Sequence, residues 1–494
     1  MPYRWLLLTG SFAALTVLSS AQDESFLKKA PNPGEARVRA NEMRDGRRQV
    51  LKGNEEASNK KDLLKMAQAL MYPVTEATYY QPPEPSAKNP TELRPVAAEF
   101  TFQSKLDDLD KYVLKPGYNT KLNFDQYDFL AEIGAAYDAT LKELFALNAP
   151  VHVKVNTARM LALVARSGAP AHAKMITELI ANPDTPPELL TYALQAARNL
   201  LEAYDPRLAG GLNFGNHTIK DAELVKLIQA LEAVINRQKP YGVIAPAKAP
   251  PAAVGIVKEE LKKEAKPAVK KDLPGKTGGK LDAALAPAPF DDEQAAVIRF
   301  LRRQAIRALA QVRVPTVVDA KSNTSARPLF TLCRIAVNDG PFAPALGPEE
   351  YADAVLGLMS LHSIRNVDVD VVANCMAQGA YNFANRKGAS STTIPWKLYG
   401  VKFHAGVVDL QRVIGVTASM QTAGAKLGPL LSLLSTKIAA PLEALSKTNP
   451  SVTGLGLEDL QTWLNGRTLK DMVPYTDVSG VEKNRLTLKP VPAN

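Results

Sequence analysis

The chain has 494 residues, 46% of them hydrophobic and 6% aromatic. That length allows two or three ordinary domains with sizeable cores, and a composition led by Ala and Leu favours helix over sheet. The formal net charge of +10 invites a nucleic-acid or anionic-polymer reading. Half of that excess, however, lies in one low-complexity stretch, so it does not mark a basic groove on a folded surface.

Met1 to Ala21 has the pattern of a secretory signal peptide. Arg4 supplies the positive end, Trp5 to Leu18 an interrupted apolar run, and Ser19-Ser20-Ala21 the small residues before cleavage at Gln22. The run is shorter than the ~20 apolar residues a membrane-spanning helix needs. No later segment is apolar enough to span a bilayer. The expected location is therefore outside the cytoplasm: periplasmic, envelope-associated or extracellular.

Residues 22–95 form a charged helical and Pro-rich segment. Arg37, Arg39, Arg44, Arg47 and Arg48 alternate with Glu35, Glu42, Asp45, Glu55 and Glu56, which reads as a solvated helix laced by charge pairs at helical spacing. Leu63, Leu64, Ala67, Leu70 and Met71 predict a short amphipathic helix. Tyr72 to Pro95 reads as an extended connector, with Tyr79 and Tyr80 in a packed loop.

A first helical module is expected over 96–238. Phe124 to Leu147 opens it. From Val151 to Tyr204, three short helical patterns follow with Gly, Pro and Asn between them. Leu189, Ala193, Ala197 and Leu201 recur every fourth residue, and Leu190, Leu194 and Leu200 widen the stripe. Pro186 and Pro187 suit a first helical turn, and Gly168 a helix stop. Leu224, Leu227, Ile228, Leu231 and Ile235 mark a last helix over 221–238.

Residues 239–289 carry ten Lys against five acidic residues amid repeated Pro and Ala. Such a stretch cannot bury enough apolar surface to offset its ordering entropy, so it reads as a disordered linker. A second helical module is expected over 290–467. Val297, Leu301, Ala305, Ala308 and Val312 form its first apolar stripe, with Arg299, Arg302, Arg303 and Arg307 on the remaining faces. Further helices are expected at 326–337, 348–361, 367–383, 402–420 and 427–445. Ala389 to Tyr399 reads as a polar loop holding Trp396, and 468–494 as a tail with strand-like patterning.

The residues that could carry chemistry are few. Cys333 and Cys375 lie 42 residues apart in sequence and read as buried free thiols. His152, His172, His217, His362 and His404 include no H-E-x-x-H and no pair four residues apart, so zinc hydrolysis is poorly supported. His152 and His172 are expected to face solvent. Pro274 to Thr277 ends like a phosphate loop but lacks its upstream Gly, and Ser58-x-x-Lys61 falls in a charged helix; both are chance matches. Asn216-His217-Thr218 fits a glycosylation acceptor.

Ala158 to Pro170 (ARMLALVARSGAP), Ala193 to Pro206 (ALQAARNLLEAYDP) and Ala305 to Pro315 (AIRALAQVRVP) are similar in type. These segments resemble HEAT or armadillo repeats, which implies helix pairs stacked into a solenoid that offers a surface to protein partners. The expected fold is all-α, in two helical modules joined by the linker. The expected function is an exported, non-catalytic scaffold for protein–protein interaction at the cell envelope, with no cofactor, no metal, no catalytic residue and no specific nucleic acid. One alternative is an enzyme whose site gathers Asp353, His362, Asp368, Asp370 and His404. Another is a binder of anionic envelope polymers acting through the linker and the Arg-rich N-terminal segment.

Overall fold

A computed structural model describes residues 27–48, 56–76, 101–114, 124–203, 219–237, 241, 291–385, 394–445, 455–467, 472–476 and 485–486. The expected signal peptide, the 239–289 stretch apart from Tyr241, Tyr79, Tyr80 and His217 lie outside them.

The described residues are predominantly helical, as the composition predicts. The first helices are α1 (Gly34–Arg44), α2 (Glu56–Met71), α3 (Phe102–Asp110) and α4 (Phe124–Ala146). Next come α5 (Val151–Val164), α6 (His172–Ala181), α7 (Pro187–Ala203), α8 (Asp221–Ile235) and α9 (Asp292–Leu309). A hairpin of β1 (Val317–Asp319) and β2 (Thr324–Ala326) follows, then α10 (Pro328–Ala336), α11 (Pro348–Met359) and α12 (Val369–Asn385). The last elements are α13 (Trp396–Val416), α14 (Ala418–Leu433), α15 (Ala440–Glu443) and α16 (Leu457–Asn465). Among the described residues no helix is long and apolar enough to cross a membrane.

Packing follows a rule of alternate helices. In one layer α5 rests on α7, α7 on α9, α9 on α11 and α11 on α13. In the other, α4 rests on α6 and α6 on α8, which packs against the hairpin, while α10 rests on α12 and α12 on α14. Helices on the two sides of 242–290 thus meet directly, and their buried side chains belong to one hydrophobic cluster. Short helices such as α6 and α10 are marginal alone, so this mutual burial is what holds them.

The three similar sequence segments end or fill α5, α7 and α9, which are neighbours in the first layer. Two of them terminate alike. After α5 a tight turn runs over Ala165–Ser167 to Gly168 at φ 71, and after α9 another runs over Ala310–Val312 to Arg313 at φ 60. Side-chain amides tie alternate helices together: Asn199 donates to the Ala162 carbonyl at 2.7 Å, and Asn382 to that of Ala336 at 3.0 Å.

Several expectations need correction. Arg302 does not line a solvent face but is the largest of the fully buried side chains. Trp396 is not in a loop: it opens α13 and packs on Phe383 at 5.0 Å between ring centroids. Helix α13 ends at Val416, so Met420, expected in the same helix, belongs to α14. The hairpin was not foreseen, because two three-residue strands carry too little periodicity to register. The tail meets more than the last helices. Tyr475 bridges Val367, accepts from the Phe330 N–H at 3.2 Å and donates to the Pro315 carbonyl at 3.0 Å.

Candidate functional site

A polar network of buried and partly buried side chains lies where α9, α11 and α13 come together. Helix α9 begins at Asp291, whose carboxylate accepts from the Gln294 N–H at 2.7 Å, and Asp292 and Glu293 complement the helix dipole. Its apolar residues Ile298, Leu301, Ala305 and Ile306 face the core. That orientation turns Arg302 inward and puts Arg303 and Arg307, four residues apart, along the edge facing α11 and α13.

Arg302 is sealed. Its Nη1 lies 3.2 Å from Glu350 Oε1 and donates to the Pro344 carbonyl at 3.0 Å, while Nη2 donates to that of Ala343 at 3.1 Å. Glu350 Oε2 accepts from the Gly347 N–H at 2.5 Å, closing the first turn of α11. Burial pushes the Glu350 carboxyl up to about 7 against the pull of Arg302. Burial likewise lowers the Arg302 guanidinium from its ordinary value. In both partners, desolvation outweighs the attraction that partly offsets it.

Arg303 and Arg307 face a more open environment. Arg303 pairs with Glu349 at 2.8 Å and Asp353 at 3.4 Å, and reaches the Tyr399 hydroxyl at 3.0 Å. Arg307 Nε donates to Asp353 Oδ2 at 2.9 Å. The Tyr399 hydroxyl donates to Asp353 Oδ1 at 3.3 Å, and burial followed by the Asp353 charge raises the phenol's pKa. On α13, Lys402 sets its ammonium 5.1 Å from the Tyr399 ring centroid. Burial lowers the Lys402 pKa; Arg307, Arg198 and Arg303 push the same way, and Asp353 opposes them. Arg198 of α7 contributes a buried Nε with no hydrogen-bond partner.

The residues proposed for an enzyme site do not converge. Asp353 belongs to the assembly above. His362 follows α11, its backbone N–H donating to the Arg313 carbonyl at 2.9 Å. Asp368 caps α12, accepting from the N–H groups of Asp370 and Val371 at 3.0 and 3.3 Å. Asp370 pairs with Lys426 at 2.5 Å and Arg467 at 3.1 Å; the Lys426 hydrogen bond holds it below the usual carboxylate range despite some burial. His404 Nδ1 lies 3.2 Å from Glu443 on the far flank of α13. Among the described residues no three His, Cys, Asp or Glu side chains are grouped to hold a metal.

His152 is exposed, but His172 is not: it lies in the core, and neither ring nitrogen has a hydrogen-bond partner. Its helix packs on α4, where a Cβ added at Gly134 would come within 3.9 Å of the imidazole Nε2. Burial, reinforced by Lys142, pushes the imidazole down to about 4. Cys333 and Cys375 are buried free thiols on the adjacent helices α10 and α12, and burial, then the Cys375 contact, drives the Cys333 thiol well above its ordinary value. Of the N-terminal charge pairs expected at helical spacing, Arg39–Glu35 forms at 3.4 Å; Arg39 also reaches Asp62 of α2 at 2.6 Å, and Arg44–Asp45 at 2.9 Å and Arg48–Glu42 at 3.8 Å form at other spacings around the end of α1. A groove of about 580 Å³ lies between the 363–369 loop and α14, lined in part by Ser363, Arg365, Thr422 and Lys426.

Sequence reasoning missed Arg198, Glu349, Glu350, Tyr399 and Lys402. A usable signal existed for part of the set. Arg303 and Arg307 lie four apart, as do Glu349 and Asp353, so each pair shares one helix edge. Nothing in the sequence announces that these two edges face each other. Compared with known proteins, the chain matches no family model, no curated protein and no solved structure.

Proposed function

We propose that this protein is an exported, non-catalytic scaffold that binds a protein partner, its helix pairs stacked as in HEAT- or armadillo-like solenoids. The alternate-helix packing and the shared termination of α5 and α9 support the solenoid part. The Met1 to Ala21 pattern supports export.

One observation carries the binding reading. Of the large apolar side chains exposed among the described residues, half sit on α13: Leu398, Val401, Val408 and Val416. The first three, with Ala405, repeat at the three- and four-residue spacing that makes a single stripe on a helix. Lys402 flanks that stripe on the side of the α9 arginines, and Lys397 is exposed on the other. The partner this surface suits is an amphipathic protein segment, apolar along one side and acidic along the edge that meets those cations.

The test replaces Val401 and Val408 by Asp in the full chain and repeats in-cell cross-linking. Both residues are exposed, so thermal unfolding should be unchanged. The expected result is that the double variant loses a partner the wild type retains. Equal cross-linking of both proteins to that partner would remove α13 as the contact surface. N-terminal sequencing of the mature protein checks cleavage before Gln22.

A further inference from the structure

We propose that the groove between the 363–369 loop and α14 binds a small amphiphilic anion, an aliphatic monocarboxylate of the medium-chain fatty acid class. Its volume of about 580 Å³ falls in the range of ordinary ligand sites, which are mostly apolar with a few polar groups that fix orientation. The lining is divided in that way. Ile364, Val367 and Val369 form an apolar floor, Arg365 and Lys426 bring two cations, and Ser363 and Thr422 bring two hydroxyls. Among the described residues that line the groove there is no carboxylate.

Both walls are held in place. In the loop, the Val367 N–H donates to the Ile364 carbonyl at 3.0 Å, closing a turn in which Asn366 is left-handed at φ 59. The Asn366 carbonyl accepts from the Thr476 N–H at 3.0 Å, and the Asp368 N–H donates to the Pro474 carbonyl at 3.0 Å. On the α14 side, Lys426 is tied to Asp370 of α12 at 2.5 Å, and the other oxygen of Asp370 meets Arg467 at 3.1 Å. A site fixed in this way loses little freedom on binding.

The chemistry of the lining selects the occupant. Two cations in a cleft with an apolar floor concentrate an anion, and a guanidinium offers a carboxylate its planar donor fork. The floor rewards only a ligand with hydrocarbon to bury. Ile364, Val367 and Val369 also line a deeper space of about 10 Å³ between α11, α12, α13 and α14, whose other described walls are Leu, Val and Met side chains. That space is too tight for a chain, so the tail lies along the groove, and nothing polar backs the floor. Peptide N–H and C=O groups laid there would be buried unpaired at a cost in free energy, whereas an alkyl tail has none.

The inference is independent of the scaffold reading, since it stands whether or not a protein meets α13. The full-length protein is titrated at fixed ionic strength with decanoate below its micelle-forming concentration. Calorimetry gives affinity and stoichiometry, and the NMR signals of the Val367 and Val369 methyl groups give the place. Decanol, with a tail and no charge, and acetate, with a charge and no tail, are the controls.

One decanoate per chain is expected to bind and to shift both valines, with each control at least about tenfold weaker. Arg365→Gln is expected to weaken decanoate at least about tenfold, while Arg365→Lys keeps most of the affinity. Thr422→Trp fills the groove without touching its charges and is expected to abolish binding. Arg365 and Thr422 are both exposed, so these variants should fold, which circular dichroism checks before titration. The joint Val401→Asp and Val408→Asp variant is expected to bind like wild type. The inference is overturned if decanol or acetate binds as tightly as decanoate, if Thr422→Trp leaves binding intact, or if the α13 variant loses it.

Discussion

Helix α9 carries two cationic environments one residue apart, and they are handled oppositely. Arg302 is fully buried, matched by a single carboxylate and by two backbone carbonyls. Arg303 and Arg307 keep partial access to solvent and share two carboxylates with a tyrosine, while Lys402 adds a third cation whose charge the arginines disfavour and Asp353 favours. The sealed site is close to neutral, as a low-dielectric interior requires. The open site carries an excess that only a partly solvated place tolerates. Charge matched one to one inside and shared among several groups at the edge separate a buried pair from a partly solvated network.

The sealed pair gives the largest expected effect. Glu350→Ala leaves Arg302 buried without its counter-charge and should cost about 3–5 kcal/mol in urea unfolding. The joint replacement Arg302→Met with Glu350→Leu should recover most of that loss, because well-packed apolar side chains can replace a buried ion pair. If the single variant unfolds like wild type, the pair does not hold α9 to α11.

His172 supplies a third case, a buried titratable group with no partner at all. Its pKa in the folded chain, about 4, lies below the ordinary 6.5. As pH falls, the unfolded chain takes up the proton first. The stability contribution is therefore complete above pH 6.5 and is lost as pH drops toward 4, amounting to roughly 3 kcal/mol in full. His172→Leu should remove this component, read as the difference between variant and wild-type urea midpoints across that range. Parallel curves would mean that the imidazole is solvated.

At the open site, Asp353→Asn removes the carboxylate that both arginines share and should cost about 2 kcal/mol, with the loss shrinking as salt is added. The smallest effect has the opposite sign. Lys402→Met should stabilise the protein by about 0.5 kcal/mol at low salt, since burial and the arginines nearby disfavour the ammonium at this partly exposed position more than Asp353 favours it. A destabilisation there would show that Lys402 already has a counter-charge.

Much of the helical architecture was legible from spacing. The α7 stripe of Leu189, Ala193, Ala197 and Leu201, the Gly168 stop and the α8 stripe all appear as expected, because a 3.6-residue period is a local property. The Arg39–Glu35 pair was legible in the same way, whereas the shorter Arg39–Asp62 pair needed α1 to be brought against α2. The boundary at Trp396 was not legible. A Pro-preceded aromatic in a polar stretch looks like a loop until Phe383 is brought beside it.

By itself, the sequence determined a predominantly helical fold, the placement of most helices and their apolar faces, and, among the described residues, the lack of a helix long and apolar enough to cross a membrane. Only the tertiary structure decided that α7 and α9, far apart in sequence, are neighbours. It alone turned Arg302 into the core, buried His172, and gathered Arg303, Arg307 and Tyr399 around the Asp353 carboxylate. Periodicity shows which side of a helix is apolar, but a charge's fate depends on which helix edge comes to face it, and that is set by packing between residues as far apart in sequence as Arg303 and Tyr399.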